Sequence, residues 1–212
     1  MDIFSFFRAA ANSEHAASMS AYMRDQFSFL GIKAPLRREL SRDAVRAQKE
    51  INWEFIFDCW KQPEREFQYL AIDCLDKVKS KLSPSDIPNL RHLIVEKSWW
   101  DTVDGLDAFV GSIALRNAEV KETLLEWSVD DNIWLRRTAI NHQLSYKEKT
   151  DTTLFEQILV NNFGQQEFFI NKAIGWSLRE YSKTNPDWVR DFVGRHKVKL
   201  SPLSLKEASK YI

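Results

Sequence analysis

Apolar positions recur at spacings of three and four along nearly the whole chain. That rhythm puts one stripe of a helix into a core. The strict alternation of a half-buried strand is hard to find. Helix starts are marked by local chemistry. Ser83-Pro84, Asn185-Pro186 and Ser201-Pro202 each place a proline just inside an N-cap candidate. Pro35 belongs in the first turn of another helix, after a turn at Gly31. Asn52 is the expected cap of WEFIFDCWKQ, which stops near Pro63. Ser204 followed by Glu207 also has the form of a capping box, so the last helix has two candidate starts and the pattern does not choose between them. Roughly a dozen helices joined by short turns result.

A weak repeat runs through these helices. REFQYLAIDCL, LRRTAINHQLSY and FFINKAIGWSLREY share an Ala-Ile pair: Ala71-Ile72, Ala139-Ile140 and Ala173-Ile174. Ala108-Phe109 fits between the first two. The spacing is then roughly 30 to 40 residues, the length of a helix-pair repeat. A small alanine lets neighbouring helices approach, and the apolar residue after it fills the gap. The expected fold is all-α, a superhelical stack of helix pairs with a concave face, forming a single domain over residues 1–212. An irregular helical bundle with chance similarity is the competing arrangement.

Composition narrows the classes. With 44% apolar and 28% charged residues, the chain is not expected to be disordered. There is no apolar run of about 18 residues, so no membrane span is expected. The start MDIFSFFRAAANSEH lacks a basic segment and a true apolar core, so it does not read as a secretion signal. Cys59 and Cys74 form no metal or redox motif and fit buried positions in a reducing compartment, so the expected location is the cytoplasm. The 30 basic and 30 acidic residues cancel, yet residues 1–130 hold 17 basic and 21 acidic groups against 13 and 9 beyond them. Any face for a polyanion must therefore be a local patch.

Candidate chemistry sits at four places. In KSWWDTVDG, Ser98 is placed to cap a helix from Trp99, on which Trp100 and Asp104 share a face while Trp99 and Val103 face the core. A tryptophan beside a carboxylate suits a flat cation, or a sugar that becomes cationic. A half-buried Trp100 with Asp104 paired to a nearby base is the plainer reading. Arg136 and Arg137 flank a core stripe, and one of them has the fork geometry to hold a phosphate. Trp176 follows Gly175, whose lack of a side chain permits close approach of another backbone. Arg38, Arg42 and Arg46 recur every four residues, with Lys49 nearby. They form either a phosphate-binding stripe or a solvated face paired with Glu39 and Asp43. The four histidines are scattered without ligand spacing, and there is no phosphate loop or nucleophile elbow.

WWDTVD, NIWLRRTAI and FFINKAIGWSLREYSKTNPDWV, in this order, resemble the bacterial AlkD-like DNA glycosylases. YMRDQFSFLGIKAPLRR and LSPLSLKEASKYI extend the likeness over nearly the whole chain. The resemblance implies HEAT-like repeats with a basic concave face on duplex DNA. It implies excision of cationic N3- and N7-alkylpurines without base flipping, without a lyase step, and without metal or cofactor. Carried over by motif, Asp104 becomes the catalytic carboxylate and Trp100 and Trp176 the aromatic walls. Arg137, with Arg136 beside it, becomes the phosphate-facing cation. Tyr22, Arg38, Arg42, Arg46, Lys172 and Arg179 complete the implied DNA-binding set. Asn171 stands where some relatives carry a basic residue. The implied partner is alkylated double-stranded DNA, with a monomer as the default. A non-catalytic repeat module that binds damaged DNA, or a protein-binding scaffold, is the alternative.

Overall fold

The computed structural model describes residues 2–212. Among them the structure is all-helical, with thirteen α-helices and a single isolated bridge between Ser28 and Glu64. Two compact units meet in sequence between Leu82 and Ser83.

The first unit holds α1 (Ile3–Ala9), α2 (Ser13–Tyr22), α3 (Ala34–Ala47), α4 (Trp53–Lys61) and α5 (Arg65–Val78). Asn52 caps α4, its side-chain oxygen accepting from Phe55 N at 3.0 Å. Pro35 lies in the first turn of α3. Helix α5 packs against α3 and α4 around Phe67, Leu70 and Ala71, which are fully buried. The carboxylate of Glu66, also buried, accepts from three successive amides, those of Leu30, Gly31 and Ile32, at 2.9, 2.8 and 3.0 Å. Gly31 has φ +84°, and an added Cβ would lie 2.0 Å from the Asn12 carbonyl oxygen, so only glycine fits this turn. The turn delivers the chain into α3. There Arg37 turns inward to Asp73 at 3.2 Å, while Arg38, Arg42 and Arg46 stay exposed.

The second unit holds α6 (Ile87–Val95), α7 (Trp100–Ala114), α8 (Val120–Trp127), α9 (Ile133–Asn141), α10 (Thr152–Asn161), α11 (Phe168–Ser182), α12 (Pro186–His196) and α13 (Pro202–Ala208). Helices α7, α9, α11 and α13 are successive neighbours, and α8 packs on α10. That is a helical repeat stack, with one helix of each pair in each layer. Asn185 caps α12, accepting from Trp188 N at 3.1 Å. Ser201 caps α13, accepting from Ser204 N at 3.0 Å, so the last helix starts at the Ser-Pro pair. Ser204 is buried and donates to the Asn171 carbonyl at 2.8 Å instead of capping.

Two local expectations need correction. Ala139 and Ala173 are fully buried between helices, but Ala108 is exposed. The close approach on α7 is made by Gly111, where an added Cβ would lie 2.1 Å from the His142 carbonyl oxygen. Ser98 does not cap α7. Its hydroxyl donates back to the Ile94 carbonyl at 2.6 Å, and α7 begins at Trp100 with no side-chain cap. No helix among the described residues is long and apolar enough to cross a membrane.

Candidate active site

Asp104 sits one turn into α7 and Arg137 one turn into the neighbouring α9. Packing of the two helices brings them together. Arg137 Nε donates to Asp104 Oδ1 at 2.8 Å and Nη2 donates to Oδ2 at 2.9 Å, the parallel two-pronged geometry of a guanidinium on a carboxylate. Arg137 Nη1 donates to the Phe169 carbonyl at 2.7 Å, on α11. Three successive helices of the odd layer are thus tied at one point.

The pair is unequally covered. The Arg137 side chain is 4% exposed and that of Asp104 is 20% exposed. Both ends are largely covered, the guanidinium more completely than the carboxylate. Each Asp104 oxygen spends one acceptor site on Arg137, leaving others for a further donor. Burial raises the Asp104 pKa above its ordinary value, and the hydrogen bonds and charge of Arg137 oppose that rise. The Arg137 guanidinium carbon lies 6.0 Å from the ring centre of Trp176 and 6.0 Å from that of Phe169. Trp100 opens α7 one turn before Asp104 and is half-buried.

Asp104, Arg137 and Trp176 therefore converge, with Trp100 on the same helix face as Asp104. Of the two arginines, Arg137 is the one engaged here. Its fork, expected to face a phosphate, is spent on Asp104. Arg136 is half-buried on the same helix, its Nε without a partner. Trp99 lies just outside α7, packed with Phe169 at 5.1 Å and Trp134 at 5.9 Å between ring centres. Lys172 and Arg179, on α11 with Trp176, both bind the carboxylate of Glu207 on α13: Lys172 at 2.9 Å, and Arg179 through Nη1. Lys210 binds the same carboxylate at 3.0 Å. These cations, led by Lys172, hold the Glu207 pKa down at about 2. Tyr22, Arg38, Arg42 and Arg46 belong to the first unit. All four are exposed, and the three arginines form no ion pair with Glu39 or Asp43. Asn171 is buried and donates to the Gln165 carbonyl at 2.9 Å.

Three residues escaped the sequence reading. Phe169 supplies both a carbonyl and a ring to the pair, and its only signal was its place in the FFINKAIGW stretch. Asp107, three residues after Asp104, is fully buried with one oxygen unpartnered. Burial, then the charge of Asp104, pushes its carboxyl well above the usual range. Glu207 was visible only as a possible capping residue.

The chain matches the family model described as DNA alkylation repair enzyme over residues 5–212. A solved structure described as a predicted DNA alkylation repair enzyme from Enterococcus faecalis superposes with a TM-score of 0.88 at 39% identity, over 95% of this chain and 96% of that one. No curated protein matches the chain significantly.

Proposed function

From the premise that the chain belongs to the DNA alkylation repair enzyme family, we propose that it is a DNA glycosylase. Its substrates would be cationic N3- and N7-alkylpurines in duplex DNA, and it would work as a monofunctional hydrolase. The observation that carries this reading is the asymmetric pair. Arg137 is almost fully covered, while the side chain of Asp104 keeps 20% exposure and is the partner a ligand can reach.

Alkylation at N3 or N7 leaves the purine positively charged, so no acid is needed to help it leave. As the bond from sugar C1′ to purine N9 breaks, its electron pair neutralises the base and positive charge moves onto the sugar. A carboxylate about 4 Å away, at an effective dielectric near 20, stabilises that charge by roughly 4 kcal/mol, and Arg137 on its far side, about 8 Å off, takes back roughly half of it. If the remainder of about 2 kcal/mol is felt only in the transition state, it is worth about thirtyfold in rate. A water oxygen then bonds to C1′ and gives up its proton to solvent, with a free acceptor site of Asp104 able to orient that water. Arg137 fixes the carboxylate in one rotamer and keeps it ionised. Trp176 and Trp100 supply apolar, electron-rich walls beside the sugar and exclude bulk water. Selectivity then comes from the lability of the cationic base, so base flipping is unnecessary and neutral lesions are poor substrates.

The test is incubation with alkylated duplex DNA, following free N3-methyladenine and N7-methylguanine. The wild-type protein should release both, and Asp104→Asn should release far less while still binding the duplex. Equal release by the two proteins removes Asp104 from the chemistry. No release by either, with binding intact, favours a non-catalytic damage-binding module.

A further inference from the structure

The odd layer ends at α13, and the contact between α11 and α13 is built around one carboxylate. Gly175 on α11 has no side chain. An added Cβ there would lie 2.5 Å from Glu207 Cβ and 3.0 Å from the Ser204 carbonyl oxygen. The Ser204 hydroxyl donates to the Asn171 carbonyl at 2.8 Å. These two contacts bring the backbone of α13 against α11 and seat Glu207 at the surface of α11. Three cations meet it there: Lys172 and Arg179 from α11 and Lys210 from the end of the chain.

We propose that Glu207 is a positioning residue that gathers Lys172, Arg179 and Lys210 into a receptor for a DNA backbone phosphate beside Trp176. This rests on the DNA-repair reading above. Three cations around one carboxylate leave a net charge of +2. The exposures show which way it faces: the Glu207 side chain is 7% exposed, while those of Lys172, Arg179 and Lys210 are 38%, 23% and 44% exposed. The negative partner is inside and the surplus donors are outside. Each ammonium has three donors and the guanidinium five, so the cluster keeps donors free for a second, larger anion. Lys172, Trp176 and Arg179 are spaced four and three apart on α11, so they lie in one stripe. A phosphate held there flanks a sugar held against Trp176. Without Glu207, mutual repulsion would scatter the cations into solvent. With it, their position is set before DNA arrives, and less ordering is needed on binding.

Simple neutralisation and positioning predict opposite signs. Glu207→Gln keeps the volume and adds one positive charge. If Glu207 only cancels charge, this variant binds a short fluorescent DNA duplex more tightly. If it positions, the variant binds about tenfold more weakly despite the added charge, about 1.4 kcal/mol. Equal or tighter binding overturns the proposal. Lys210→Ala, at an exposed position where folding is not at stake, should weaken binding and reduce the slope of log affinity against log salt by about 0.9. An unchanged slope also overturns it. Wild-type binding with an unchanged Lys210→Ala slope would reject this receptor alone, whereas a wild-type protein that ignores DNA would reject the repair reading as well.

Discussion

Arg137 meets Asp104 edge to edge, through two parallel hydrogen bonds of 2.8 and 2.9 Å, with the guanidinium the more deeply covered of the two groups. On the proposed mechanism the contact would serve in two separable ways, charge and aim. Arg137→Lys retains the charge, but one ammonium cannot reproduce the planar fork. It should reduce kcat by about ten- to a hundredfold with little change in KM, a loss of about 1.4 to 2.7 kcal/mol of transition-state stabilisation. Arg137→Ala does more. It leaves a covered carboxylate unpaired, and breaking such a pair costs about 3–5 kcal/mol of stability. Urea unfolding of the two variants separates the effects, because only the alanine variant should move the midpoint far.

The acid limb of activity should report Asp104. The proposed chemistry needs its ionised form, and burial raises its pKa above the ordinary 3.8 even against Arg137. Activity should therefore fall on acidification through a value above the usual aspartate range. The stability contribution has the opposite sign. A raised native pKa means that the folded state favours the proton, so this contribution is present below 3.8 and is lost as pH rises through the native value. A pH profile of kcat/KM set beside a pH series of unfolding free energies checks both. An acid limb at or below 3.8 would argue against Asp104 as the titrating group.

Caps were legible in the sequence because capping is local. Asn52, Asn185 and Ser201 each bond to an amide within three residues, whatever the rest of the chain does. Ser98 misled because the end of the preceding helix claims it first. Lys97 takes φ +51°, which turns the chain so that the Ser98 hydroxyl closes α6 instead of opening α7. Within the second unit the Ala-Ile pairs located the packed faces of α9 and α11, but on α7 the crossing residue is Gly111. Repeat spacing cannot tell an alanine contact from a glycine contact three residues away. Spacing put Trp100 and Asp104 on one face, yet nothing in it shows that Arg137 would face Asp104 across two helices. Asp107 carried no signal and Glu207 only that of a capping residue, because burial belongs to the packed helices and not to the local sequence.

His142 makes a second pH prediction, in the opposite direction to the stability term of Asp104. It is buried at the end of α9, its Nδ1 is 2.7 Å from the Ala139 carbonyl, and burial lowers its pKa from 6.5 to about 4. The native state resists the proton. Its stabilising contribution is therefore complete above pH 6.5 and is lost as pH falls through about 4. His142→Gln, which cannot be protonated, should flatten the fall in unfolding free energy between those values. Thermal unfolding of both proteins across that window would show it, and identical slopes would assign the fall to other groups.

Two glycines inside helices should respond to alanine with opposite signs. Alanine is favoured over glycine in a helix by about 1 kcal/mol, so the substitution helps wherever space allows. At Gly194 on α12 an added Cβ meets nothing within 4 Å, and Gly194→Ala should stabilise by about 0.5–1 kcal/mol. At Gly175 the Cβ would fall 2.5 Å from Glu207 Cβ and 3.0 Å from a backbone oxygen, neither of which is the end of a flexible side chain. Relief requires α13 to move off α11, and overpacking of this kind costs about 1–3 kcal/mol. The steric term should outweigh the propensity gain, so Gly175→Ala should lower the urea midpoint while Gly194→Ala raises it. A displaced α13 would also carry Glu207 away from Lys172 and Arg179. The Gly175 variant should therefore lose DNA affinity as well as stability, and Gly194→Ala should leave affinity unchanged. If Gly175→Ala is as stable as the wild type, the close contact between α11 and α13 does not exist in solution.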